Sequence, residues 1–241
     1  MHTEVSAHER IMVALDVDTE LEVRTIVEWL VGKVGYFKIG SQLFTRMGPT
    51  AAKLVRQLGG KVFLDLKWHD IENTVQQAVR AATDLDVAFF DLHTSNALKT
   101  LRSASAARGS AAALGISVLT DLDDKESKAI YRDDCQATVA RLTNRALEGN
   151  LQGVVCSVHE ASFIRKFPPN DRLLIVTPGI RLDGDNLHDQ KRIASPRAAI
   201  LAGADYLVIG RALTEAGDPF ATLDRIVTEI TTATFDRLSI R

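Results

Sequence analysis

The sequence predicts an α/β fold: a (β/α)8 barrel of the TIM-barrel architecture, built as a single domain over residues 1–241. Three observations carry this prediction. Eight short β-prone runs recur along the 241 residues, with segments of helical periodicity between them. The unusual charged residues stand where those runs end. No linker, repeat or low-complexity stretch divides the chain. Counting strands does not prove closure, so a doubly wound open sheet is the main competing architecture.

Residues 1–10 read as a polar N-terminal extension. The first strand covers 11–15 and ends on Asp16. The second, 36–39, carries Lys38 at its end. Next, Ala51, Leu54, Val55 and Leu58 fall at i, i+3, i+4 and i+7, one face of a helix. The third strand, 62–66, leads into Lys67, and Val75, Ala78, Val79 and Ala82 mark the helix behind it. The fourth strand, 87–92, is followed by His93. The Ala-rich stretch 104–113 reads as a helix with small packing residues, ahead of the fifth strand, 114–119, and Thr120. The sixth and seventh strands are 153–156 and 173–176, and Arg181 follows the seventh. The eighth, 206–209, leads into Gly210 and Arg211. Phe220, Leu223, Ile226, Val227 and Ile230 form a last apolar helical stripe. In such a barrel the C-terminal strand ends and the loops after them build the active site.

Composition narrows the function classes. The chain is 46% hydrophobic and 25% charged, enough for a sizeable core, and its net charge of −2 shows no basic bias toward nucleic acid. The first ten residues have no apolar segment of a signal peptide. No apolar run approaches the roughly 20 residues of a membrane helix. Cys135 and Cys156 lack a C-x-x-C spacing, so a reduced, cytoplasmic compartment is expected, without disulfide or zinc. His69, His93, His159 and His188 show no metal-ligand spacing. No nucleophile elbow, Walker A loop or dinucleotide glycine motif is present.

The densest chemistry lies in Asp65-Leu66-Lys67-Trp68-His69-Asp70-Ile71, with Asn73 and Thr74 behind it. Residues two apart on a strand share a face, so Asp65 and Lys67 project together while Leu64 and Leu66 point into apolar packing. Asp70 follows in the loop, close enough to approach the same ammonium group. One lysine between two carboxylates is a poor core element. It is a good way to hold a charged amine for proton delivery. The plainer alternative is a solvated strand face; apolar flanks on both sides suit instead a parallel strand covered by helices. Asp16 and Lys38 also terminate apolar strands, with a rim position as their plainer alternative.

Pro178-Gly179-Ile180-Arg181 and Gly210-Arg211 follow the seventh and eighth strands, where this architecture commonly binds phosphate. Glycine lets the backbone approach an anion, and a following helix start adds partial positive charge. Arginine offers a planar fork to phosphate oxygens. Turn glycines and surface arginines are the alternative, and their coincidence at both strand ends weighs against it. Asp189-Gln190-Lys191-Arg192 lies in a long loop that either folds over a ligand or stays solvated.

Taken in order, several segments resemble the bacterial orotidine 5′-phosphate decarboxylases across nearly the whole chain. They are Ala14-Leu15-Asp16, Phe37-Lys38-Ile39-Gly40, Asp65-Leu66-Lys67, His69-Asp70-Ile71, Asn73-Thr74, Leu119-Thr120, Pro178-Gly179-Ile180-Arg181, Asp189-Gln190-Lys191-Arg192 and Ile209-Gly210-Arg211. The resemblance implies loss of CO2 from orotidine 5′-monophosphate to give UMP, the last step of pyrimidine synthesis. It implies no metal, no organic cofactor and a homodimer. Lys67 matches the family's proton donor, and Asp65 and Asp70 match its carboxylate partners. The family places the Asp70 equivalent in the neighbouring subunit's site, with Thr74 in the same network. Asp16 and Lys38 match groups that hold the ribose and the charged network. Thr120 matches the pyrimidine-side loop. Gln190 and Arg211, the latter beside Gly210, match the phosphate clamp, and Arg181 lies next to it. The chain departs from the family pattern at Trp68, Glu72, Asn96, Ala97 and Asp121, none of them a proton-transfer group.

Two rivals remain. Mg2+-dependent phosphosugar decarboxylases and synthases of the same barrel type share D-x-K-x-x-D. They typically carry a glutamate at the end of the second strand; here Lys38, a cation, would repel the metal. A non-catalytic nucleotide-binding barrel would keep the phosphate arginine but has no need of Lys67 between carboxylates.

Overall fold

The computed structural model describes residues 5–166, 173–182 and 194–239. Among the described residues eight strands form: β1 (Ile11–Ala14), β2 (Tyr36–Gly40), β3 (Val62–Trp68), β4 (Phe89–His93), β5 (Ala112–Ile116), β6 (Gly153–Val155), β7 (Leu174–Thr177) and β8 (Tyr206–Ile209). Each pairs in parallel with the next, and β8 pairs with β1, so the sheet closes in sequence order. Closure settles the choice between the two architectures: this is a (β/α)8 barrel.

The crossovers hold α1 (Glu20–Leu30), α2 (Ser41–Met47), α3 (Pro49–Gln57), α4 (Glu72–Asp84), α5 (Leu98–Ala107), α6 (Asp124–Tyr131), α7 (Cys135–Glu148), α8 (Val158–Ile164) and α9 (Pro196–Ala202), and α10 (Arg211–Thr214) and α11 (Pro219–Ser239) follow β8. Local chemistry sets several starts. Thr19 and Glu22 exchange side-chain and backbone bonds at the head of α1, as Asp123 and Glu126 do at α6. Pro49 and Pro196 occupy first helical turns, where the missing N–H is no loss.

The strands are buried on both faces, which explains their near-continuous apolar character. Met12, Ala14, Phe63, Phe89, Leu114, Val176, Tyr206 and Val208 fill the barrel interior. Their neighbours Ile11, Val13, Val62, Leu64, Phe90 and Leu207 face the helices. At the N-terminal end the rings of Tyr36, Phe89 and Tyr206 meet edge to face, with centroids 4.8–5.7 Å apart. Residues 5–10 cover this floor rather than trailing from it. Val5 packs on the interior layer, and Arg10 donates to the Asp205 carbonyl at 3.1 Å. The closed, apolar floor leaves the charged groups to the opposite end.

Several boundaries differ from the sequence prediction. The helix expected over 104–113 ends at Ala107; Gly109 takes a left-handed φ of 58°, and Arg108 grips the carbonyls of Gly109 and Ala111. Ala112 and Ala113 instead join β5. That strand stops at Ile116 rather than 119; the next residue, Ser117, sends both its N–H and its hydroxyl to the Val155 carbonyl. Phe220, expected in the core stripe of α11, is 47% exposed beneath the Lys33 ammonium. Both cysteines are buried. Among the described residues no helix is long and apolar enough to cross a membrane.

Candidate active site

A cavity of about 240 Å3 opens at the C-terminal end of the barrel. Asp16, Lys38, Asp65, Lys67, Thr120, Arg181, Gly210 and Arg211, from six different strand ends, all line it. Gln190 and the rest of its loop, 183–193, lie outside the described residues.

Asp65 is the centre of the charged group. Its Oδ2 lies 3.0 Å from Lys38 Nζ, and its Oδ1 pairs with Lys67 Nζ. Lys38 also reaches Asp16 Oδ1 at 3.5 Å. Lys38 stands inside β2, two residues before its end, in register with Phe63 of β3. Gly40 makes room for it: a Cβ there would lie 3.0 Å from the Lys38 ammonium. Lys38 and Asp65 are both almost fully buried. Burial alone would push the Asp65 carboxyl up, but Lys38, a hydrogen bond from Asp91 and Lys67 outweigh it and hold it well below the usual range. Burial likewise opposes the Lys38 charge, and Asp65 and Asp16 reverse that and raise its pKa.

Lys67 sits where β3 loses regular register with β4, between Leu64 and Trp68. Its φ is 51°, in the left-handed region, where a residue with a Cβ costs about 1–2 kcal/mol. The strain is held by a bond of 2.7 Å from the Lys67 N–H to Asp91 Oδ1. Asp91, in β4, is wholly buried, lines the same cavity and has its pKa raised well above the ordinary value by burial and then by the charge of Asp65. Sequence reasoning passed over Asp91 as part of an apolar run. The available signal was a lone acid inside a strand buried on both faces, which needs a partner.

Asp70 does not approach the ammonium of its own chain. Asn96 explains why: its amide donates to the Trp68 carbonyl at 2.9 Å and the His93 carbonyl at 2.8 Å, and its Oδ1 accepts the Asp70 N–H at 3.2 Å. The loop is pinned with the Asp70 side chain exposed, where it accepts the Ile71 N–H. Thr74, in the first turn of α4, is exposed as well. His93 closes β4 and its ring lies 5.4 Å from that of His69; burial, then His69 and Lys67, lower its pKa. Among the described residues no group of three or more His, Cys, Asp or Glu side chains is arranged to hold a metal.

On the other side of the cavity Gly179 takes a φ of 78°, turning the chain after β7. Arg181 follows, 7% exposed, with its N–H on the Ala194 carbonyl and Nη1 on the Ile180 carbonyl. Gly210 separates β8 from α10, and Arg211 opens that helix facing the cavity. Thr120 comes from the extended segment after β5. A charged pocket of lysine and carboxylate thus faces a rim that carries two arginines.

The profile of the Orotidine 5′-phosphate decarboxylase / HUMPS family matches residues 9–226 of this chain. The chain belongs to that family. It is 39% identical over 231 residues to an orotidine 5′-phosphate decarboxylase of Coxiella burnetii, covering 92% of this chain and 97% of that protein. A relative of the same name from Trichlorobacter lovleyi is 41% identical over 236 residues, covering 95% and 98%. The crystal structure of the Lactobacillus acidophilus orotidine 5′-phosphate decarboxylase superposes with a TM-score of 0.80 at 31% identity, over 91% of this chain and 98% of that one. A Pyrococcus horikoshii structure, at 23% identity and a TM-score of 0.70, shares the fold. As a member of the decarboxylase family the chain is an enzyme, a carboxy-lyase.

Proposed function

We propose that this protein converts orotidine 5′-monophosphate to UMP and CO2, with Lys67 as the proton donor. The observation that carries this is the Lys38–Asp65–Lys67 array at the mouth of the barrel, in a chain of the decarboxylase family. When the C6–carboxylate bond breaks, its electron pair stays on C6, in an orbital that cannot delocalise into the ring. An ammonium fixed beside C6 stabilises that charge as it develops and then passes its proton to C6. The neutral amine regains a proton from solvent. Asp65 holds the ammonium in place, and its own charge beside the substrate carboxylate disfavours the bound ground state.

The remaining assignments follow the family resemblance. Asp16 and Lys38 hold the ribose side, and Thr120 the pyrimidine side. Arg211 and Gln190 clamp the phosphate, with Gly210 and Arg181 beside them. The phosphate is remote from the breaking bond, so its binding energy drives positioning and exclusion of water. Asp70 and Thr74 serve the neighbouring site of a homodimer, in line with their exposure at the rim of one chain. The reaction needs no cofactor and no metal: Lys38 occupies the position at which the Mg2+ rivals need an anion. It belongs to pyrimidine synthesis in the cytoplasm, and neither nucleic acid nor membrane enters it.

The deciding experiment follows the orotate chromophore by ultraviolet absorbance in excess EDTA. Wild-type protein is expected to consume it and form UMP. Lys67→Ala is expected to lose turnover and still bind UMP. Near-normal activity of that variant would end the proton-donor assignment. An inert wild type that binds UMP would leave a nucleotide-binding barrel. Activity restored by Mg2+ on phosphosugars would favour the other branch of the family.

A further inference from the structure

Asp91 is a buried acid for which the mechanism above has no task. It lies in β4, in the wall of the same cavity, with no exposed surface. Its Oδ1 accepts the Lys67 N–H at 2.7 Å. Its Oδ2 is also buried, and no N–H or hydroxyl donor reaches it among the described residues. What faces it is the carboxyl of Asp65: Phe63 and Phe89 pair in register inside the barrel, and Asp65 and Asp91 follow each two residues on, lining the same cavity. Two carboxyl oxygens in a dry interior face each other stably when one of them carries a proton. The charges around the pair say which. Asp65 receives both ammonium groups, Lys38 from β2 and Lys67 from β3. Among the described residues Asp91 has no ion pair of its own, and from β5 it meets the apolar Leu114 in register. These charges favour the proton on Asp91.

We propose that Asp91 is a positioning residue that works as a neutral acid. Its Oδ1 holds the Lys67 backbone in the left-handed conformation, and its Oδ2–H donates to Asp65. One side chain thus aims both members of the proton-delivering pair, the lysine through its backbone and the carboxylate through a hydrogen bond. This rests on Lys67 being the proton donor. The strained φ of Lys67 and the acid that secures it belong to one device: the twist brings the ammonium onto Asp65, and Asp91 keeps it there.

Two substitutions and one spectrum test it. Asp91→Asn keeps an oxygen for the Lys67 N–H and supplies an N–H to Asp65, so turnover is expected to stay within about tenfold of wild type. Asp91→Leu removes both bonds, and kcat is expected to fall about 100-fold, the scale of a displaced catalytic group, while KM changes far less. Difference infrared spectra at neutral pH are expected to show the carbonyl stretch of a dehydrated carboxylic acid in wild type and not in Asp91→Asn. An Asp91→Leu enzyme as fast as wild type would overturn the proposal. So would an Asp91→Asn enzyme as slow as Asp91→Leu, or a wild type without the acid band. The band answers even where Asp91→Leu does not fold. Lys67→Ala separates the two levels: turnover surviving in it removes the proton-donor reading itself. A dead Lys67→Ala beside an unimpaired Asp91→Leu removes only the positioning role.

Discussion

At single positions, the informative residues are those whose chemistry conflicts with their surroundings. Asp16, Lys38, Asp65 and Lys67 end or interrupt apolar strands, and an acid or ammonium in such a place stands out in the sequence. All four line one cavity. Asp91 breaks the same rule and was not singled out, because its meaning depends on which carboxyl lies across from it on β3. Asp70 was placed near its own lysine by loop length alone; the hydrogen bonds of Asn96, three of them to backbone groups, turn it outward. Arg211 permits a test at this scale. Arg211→Ala is expected to weaken UMP binding about 10- to 100-fold, the range of one charge-assisted hydrogen bond, and to leave uridine binding unchanged. Titration calorimetry with both ligands reads the difference, and equal losses would place Arg211 away from the phosphate.

Among elements, strand order and helix faces were readable, and ends were less so. Alternation along β1, β3 and β8 and the stripes of α3 and α4 follow from periodicity, which is a local property. The end of α5 and the start of β5 were misplaced because alanine favours helix, and tertiary pairing overrides that local preference. Pairing with β4, in which Phe89 meets Ala112, decides it. The turn after β4 is where tertiary bonds concentrate. Asn96 holds the Trp68 and His93 carbonyls, and Arg145 of α7 holds the Thr94 carbonyl at 2.9 Å and the Asn96 carbonyl at 2.5 Å. Asn96 is 3% exposed, so Asn96→Ala strands buried backbone groups and is expected to cost about 1–3 kcal/mol. For a chain of this size that lowers Tm by several degrees in a calorimetric scan. A Tm equal to wild type would show that these bonds add nothing net.

The whole molecule raises the question of the second subunit. Asp70 and Thr74 stand on the rim, outside the cavity of their own chain. If they complete a neighbour's site, Lys67→Ala and Asp70→Asn, each inactive alone, complement when mixed. The mixed dimer then holds one site with both residues intact, and random exchange restores about one quarter of wild-type activity. Mixtures that stay inactive after verified subunit exchange would return Asp70 to its own chain.

The sequence by itself determined the succession of eight β/α units, the placing of charge at the C-terminal strand ends and the family, since these rest on composition, periodicity and ordered motifs. Closure of the sheet, the left-handed turn at Lys67, the cover that residues 5–10 make on the floor and the pairing of Asp91 with Asp65 were decided by tertiary structure alone. The reason is physical. A strand's character is written in its own residues, but the state of a buried acid depends on the charges that other strands bring beside it.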